Sequence, residues 1–116
     1  MKITNSKALF KKAKKLIPGQ SQTFSKSWTQ YPLGCSPIFS EKADGGYLWD
    51  VDGNKYSDFI MALGPIILGY CDDEVNKAVV EQVNSGSIFS LSHFKEVECA
   101  EKISSLIPLG RMARKD

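Results

Sequence analysis

Asp50, Asp52 and Asp58 fall close together in the stretch "GYLWDVDGNKYSDF", residues 46–59. Carboxylates at such spacing could hold a divalent cation. A calcium loop of the EF-hand type needs oxygen ligands at positions one, three and five, glycine at six and glutamate at twelve. Counted from Asp50, Gly53 stands at position four and Met61 at position twelve, so the metal reading fails. A hairpin explains the residues better. Asp52, Gly53 and Asn54 tolerate the positive φ of tight strand connections, and Tyr47, Trp49, Tyr56 and Phe59 are placed to alternate as cross-strand partners.

Other reactive groups are sparse. His93 lies near Glu96 and Glu98 and could form an acid–base pair. It falls in the first turn of a helix whose other face is apolar, so a surface or capping role is expected. One histidine excludes a His-rich metal site. Cys35, Cys71 and Cys99 are odd in number and form no CxxC pair, which predicts reduced, mostly buried thiols and no disulfide frame. There is no P-loop, GxGxxG or GxSxG motif.

The elements that must position these groups follow from periodicity. "SKALFKKAKKLI" predicts an amphipathic helix with Leu9, Phe10, Ala13, Leu16 and Ile17 on one face. "IPGQSQTFSKSWTQYPLGCSP" has no period and predicts an extended connecting segment, of a length often tied to function. "PIFSEK", "GYLWDV" and "KYSDFI" predict three strands, punctuated by "ADGG" and "DGN". "MALGPIILGY" reads as a buried bend. "DDEVNKAVVEQVNSG" predicts a helix capped by Asp72 or Asp73 and stopped by Gly86. "SHFKEVECAEKISSLIP" predicts another, with Ser92 as cap and Pro108 closing it.

The chain has 116 residues, enough for one small domain, with 42% hydrophobic and 24% charged residues and a net charge of +2. No acid precedes Glu41, so the first third is basic. A solvated helix face accounts for that charge. No apolar run is long enough for a signal sequence or a membrane span, and the expectation is a cytosolic protein with no membrane partner. No nucleic-acid motif accompanies the lysines.

The order of the blocks carries more information than any one of them. "LIPGQSQTFSK", "GGYLWDVDGNKYSDF", "ALGPIILGY", "DDEVNKAV", "GSIFSL" and "EVECAEKISSLIP" resemble the consecutive opening blocks of class III pyridoxal-phosphate aminotransferases. The branch most similar is that of glutamate-1-semialdehyde aminomutase, an isomerase, and related semialdehyde- or sugar-linked transaminases. The likeness runs from about Ser6 to Pro108 and fades in "LGRMARKD", where only Met112 and Arg114 retain it.

The resemblance implies an α+β fold: helix, long loop, three-stranded antiparallel meander and two helices, forming the amino-terminal segment of a fold-type I enzyme. Residues 1–116 would be a single such segment, from a partial sequence or a truncated or frameshifted gene, with the large cofactor domain absent. The parent would be a homodimer acting on a small-molecule amino donor and acceptor, with pyridoxal 5'-phosphate joined to a lysine that this chain lacks. No catalytic, cofactor-binding or metal residue is therefore expected here. Thr23 and Lys26 would orient substrate, and Leu63 would line its pocket. The aminomutase pattern has serine and arginine in place of Thr23 and Lys26, tryptophan in place of Leu63, and histidine in place of Tyr70. Lysine keeps the charge but loses the bidentate fork that grips a carboxylate, which argues against a glutamate-semialdehyde substrate. The alternative is a small dimerisation or interaction module without catalytic activity.

Overall fold

The computed structural model describes residues 1–107, so Pro108 and the faint likeness at Met112 and Arg114 lie outside the described residues. The elements are α1 (Thr4–Leu16), β1 (Ser40–Asp44), β2 (Tyr47–Asp50), β3 (Lys55–Ser57), α2 (Asp73–Ser85) and α3 (Phe94–Leu106). The α+β order matches the sequence expectation. Contacts divide the chain into two compact units, Met1–Asn76 and Lys77–Asp116.

In the first unit the strands form an antiparallel sheet in the order β1-β2-β3. β1 begins later than the "PIFSEK" run suggests and carries a bulge between Ser40 and Lys42. Tyr47 lies opposite Ser57, Leu48 opposite Tyr56 and Trp49 opposite Lys55. Because side chains alternate between faces, Tyr47 and Trp49 share a face with Lys55, whose Nζ lies 3.7 Å from the Tyr47 ring centroid. Tyr56 turns to the other face, and Phe59 lies beyond β3 at 92% exposure. The four aromatics are therefore not one cross-strand set.

The connecting segment is not extended. It is folded into short 3-10 turns at Pro18–Gln20, Phe24–Lys26 and Trp28–Gln30. Buried Ser27 pins it by donating its hydroxyl to the Gly19 carbonyl at 3.1 Å. Trp28 Nε1 donates to Gln20 Oε1 and the Trp28 ring meets Phe10 of α1 edge-on at 5.8 Å. The face of α1 that packs is thus Ser6, Phe10 and Ala13, while Leu16 stays 76% exposed. The "MALGPIILGY" bend exists but is not buried, since Leu63, Ile67 and Leu68 are exposed.

In α2, Asp72 is the cap: its Oδ1 accepts from the Val75 amide at 3.0 Å. Gly86, at φ +104°, ends the helix as expected. The cap of α3 is His93, one residue after the expected Ser92. Its backbone N–H donates to Glu96 Oε1 at 2.9 Å, and its Nδ1 accepts from the Lys95 amide. The ring also stacks on Phe89 at 4.9 Å. His93 is thereby a capping residue, as its place in the first turn suggested. The cysteines are free, but all three are exposed, against the expectation of burial.

Apolar burial is very small. Among the described residues only Ala13 is a buried hydrophobic, and the other buried residues, Ser6, Ser27 and Asp50, are polar. Fully burying a valine or leucine contributes about 1.5–3 kcal/mol, yet Val79, Val80 and Val83 of α2 stay more than half exposed. Caps and polar anchors hold these elements where a core would ordinarily do so.

Candidate functional site

The three aspartates of residues 46–59 turn out to be anchors. The Asp52 and Asn54 amides donate to Asp50 Oδ1 at 3.0 and 2.8 Å, and Asn54 Nδ2 and the Tyr56 hydroxyl donate to Oδ2 at 2.7 and 2.9 Å. Burial by itself would raise the Asp50 carboxyl, but donors from Asn54, Tyr56 and Asp52 outweigh it and hold the group below the ordinary carboxylate value. Tyr56 is pushed up to about 12 by burial and by its bond to Asp50.

Asp52 reaches out of the turn to α1. Its carboxylate accepts from the Asn5 and Ser6 amides at 2.7 and 2.8 Å and from the Ser6 hydroxyl at 2.6 Å. The first turn of α1 contains no acid, and Ile3 at its N-cap makes no side-chain cap bond. A carboxylate some forty-six residues away supplies what the local sequence lacks, satisfying orphan amides and the positive end of the helix dipole. Local burial opposes ionisation of Asp52, but the Ser6 and Asn5 donors and the Lys2 charge lower its pKa nonetheless.

Asp58 governs the bend. Its Oδ1 accepts from the Ile60 and Met61 amides at 2.8 and 3.1 Å, and its Oδ2 from the Tyr70 hydroxyl at 2.6 Å. That Tyr70 bond, against burial, lowers the Asp58 carboxyl, and the same bond pushes Tyr70 up to about 12. Between them runs a left-handed turn: Met61, Ala62 and Leu63 have φ of 52°, 50° and 66° before Gly64 at 111°. For residues with a Cβ this conformation costs about 1–2 kcal/mol each. Such strain persists only where surroundings impose it, and it gathers at functional sites.

Thr23 and Lys26 flank one 3-10 turn: the Lys26 amide donates to the Thr23 carbonyl at 3.2 Å, and Thr23 Oγ1 lies 3.3 Å from Ser25 Oγ. Both side chains are exposed. Leu63 stands at the left-handed turn, 76% exposed. The structure brings Thr23 and Lys26 together on one turn and places Leu63 on a separate one. Sequence reasoning missed Ser27, the Asp52 clamp and the Asp58–Tyr70 bond. The aspartates were visible as turn formers, but their distant partners leave no local pattern.

The profile of the family described as Aminotransferase class-III matches residues 31–114. The chain belongs to the class III aminotransferase family. It is 41% identical over 114 residues to the 3-aminobutyryl-CoA aminotransferase of Cloacimonas acidaminovorans (strain Evry), covering 97% of this chain and 27% of that enzyme. It is 38% identical over 112 residues to glutamate-1-semialdehyde 2,1-aminomutase 2 of Lachnoclostridium phytofermentans, covering 97% and 26%. Its fold matches the pyridoxal-phosphate internal aldimine form of the FumI protein of Sphingopyxis sp. MTA144 with a TM-score of 0.77 and 30% identity, covering 90% of this chain and 25% of that one.

The chain thus spans about a quarter of the length of its curated relatives, and corresponds to the amino-terminal part of the family's fold. Among the described residues, no lysine fits the Schiff-base role that the family's cofactor implies. A Schiff-base lysine needs an apolar or otherwise activating setting, and every lysine among the described residues is exposed. Among the same residues no helix is long and apolar enough to cross a membrane.

Proposed function

We propose that this chain supplies the substrate-side amino-terminal segment of a class III, pyridoxal-phosphate-dependent aminotransferase, and that amino transfer belongs to the assembled enzyme. One observation carries the reading. The segment holds its backbone with a dense polar network yet buries a single hydrophobic residue among those described, as expected of a piece whose apolar faces are completed by the rest of the family's fold. Residues 1–116 act as one segment, and the large domain brings the cofactor and its lysine.

In the assembled enzyme Thr23 and Lys26 orient the substrate and Leu63 lines its pocket. A hydroxyl and an ammonium on a tightly turned loop suit an anionic group on an amino-acid, semialdehyde or sugar-linked substrate, and the ammonium attracts it as a point charge without the fork of an arginine. Leu63 gives the pocket an aliphatic wall. The assembly works as a homodimer in the cytoplasm. Three free, exposed thiols are in keeping with a reducing compartment.

The test is complementation. The Cloacimonas relative, shortened by the portion matching this chain, is loaded with pyridoxal phosphate and mixed with purified chain. Restored transfer in that relative's own reaction, saturating near one chain per large domain, supports the reading. Tight association with no transfer would favour the alternative, a dimerisation module without chemistry.

A further inference from the structure

Tyr70 ties two parts of the first unit together. Its backbone pairs with Gly45 at the turn between β1 and β2: the Gly45 amide donates to the Tyr70 carbonyl at 3.0 Å, and the Tyr70 amide to the Gly45 carbonyl at 2.8 Å. The preceding residue, Gly69, lies so close that a Cβ there would sit 3.1 Å from the Gly45 oxygen. The chain at residue 70 is therefore fixed to the sheet. From that fixed point the phenol donates to Asp58, and the other oxygen of Asp58 accepts the two amides that open the left-handed turn. The turn then closes on itself, with the Leu63 amide donating to the Ile60 carbonyl at 3.0 Å and the Gly64 amide to the Met61 carbonyl at 2.8 Å.

We infer that Tyr70 and Asp58 are positioning residues that hold the Met61–Leu63 turn left-handed, and so set which face Leu63 turns to the substrate. They act on specificity through the turn, by fixing a conformation that alanine, leucine and methionine do not choose by themselves. The inference rests on the aminotransferase reading for its functional half, since only the assembled enzyme has a pocket for Leu63 to line. Its structural half stands on the bonds alone. A hydroxyl donor at position 70 is essential to it, so Tyr70→Phe is the minimal change: the ring stays and one bond is lost.

The experiment has two arms. In the purified 116-residue chain, amide exchange is followed residue by residue for wild type, Tyr70→Phe and Asp58→Ala. The expected result is exchange at Ile60 and Met61 accelerated at least about tenfold in both variants, with Asp52 and Asn54 unchanged because Asp50 holds them separately. Unchanged exchange at Ile60 and Met61, or an equal rise at all four, would overturn the lock. In the complemented enzyme, Tyr70→Phe should raise KM severalfold or alter the ranking of amino donors while leaving kcat within about twofold. An unaltered KM and ranking in an active assembly would overturn the positioning role and leave the aminotransferase reading intact. An assembly inactive even with the wild-type chain would overturn that reading, and the positioning role with it.

Discussion

Replacing Asp50 by alanine removes the acceptor for four donors at once. Each buried donor left without a partner costs about 1–3 kcal/mol, and Asp50 is 1% exposed. Asp50→Ala should therefore lower the opening free energy of the Asp52 and Asn54 amides by at least about 2 kcal/mol, read by hydrogen exchange. Acid should act in the same sense. The Asp50, Asp52 and Asp58 carboxyls all lie below their ordinary value, which is near 3.9 in the unfolded chain. Their contribution is present above about pH 4 and is lost as pH falls through the lowered values. Tyr56 and Tyr70 are raised to about 12. Their contribution is complete below the unfolded value of about 10 and is lost as pH rises through about 12. Helical circular dichroism should be level from about pH 5 to 9 and fall at both ends. The failure of the calcium-loop spacing was legible in the residues. The use of Asp52 as a cap for α1 was not, because a hydrogen bond across forty-odd residues has no periodicity.

Among the elements, the three helices, the meander and its two turns could be read from spacing and punctuation, since those signals are local. The 3-10 turns at Phe24–Lys26 and Trp28–Gln30 could not, because they are set by buried Ser27 and the Phe10–Trp28 contact. The left-handed turn was equally hidden, since methionine, alanine and leucine give no hint of positive φ. Gly69 offers an element-scale prediction. At φ +96° with the Gly45 carbonyl behind it, a methyl group brings both backbone strain and a clash. Gly69→Ala should break the Gly45–Tyr70 pairing, and the Gly45 and Tyr70 amides should lose protection while α1 keeps its own. Retained protection at both amides would show that the close approach is not needed.

For the whole molecule, α2 and α3 carry apolar residues that stay largely exposed among the described residues. Val79 and Val80 are 53% and 60% exposed, and Phe94 and Val97 61% each. Periodicity announces a face, and cannot say whether its partner is part of the same sequence. The isolated chain should bind a hydrophobic dye and self-associate through these faces, while the polar-anchored turns of the first unit stay formed. A sharp cooperative melt from a monodisperse monomer would contradict this. On the proposed reading, the large domain of a class III aminotransferase covers these apolar faces. Sedimentation velocity of the chain mixed with the shortened, cofactor-loaded Cloacimonas relative decides whether it does. The prediction is one chain bound per large domain, with dye binding lost in step as the apolar faces are covered. Chain that sediments independently of the large domain at micromolar concentrations, with its dye binding undiminished, would contradict it.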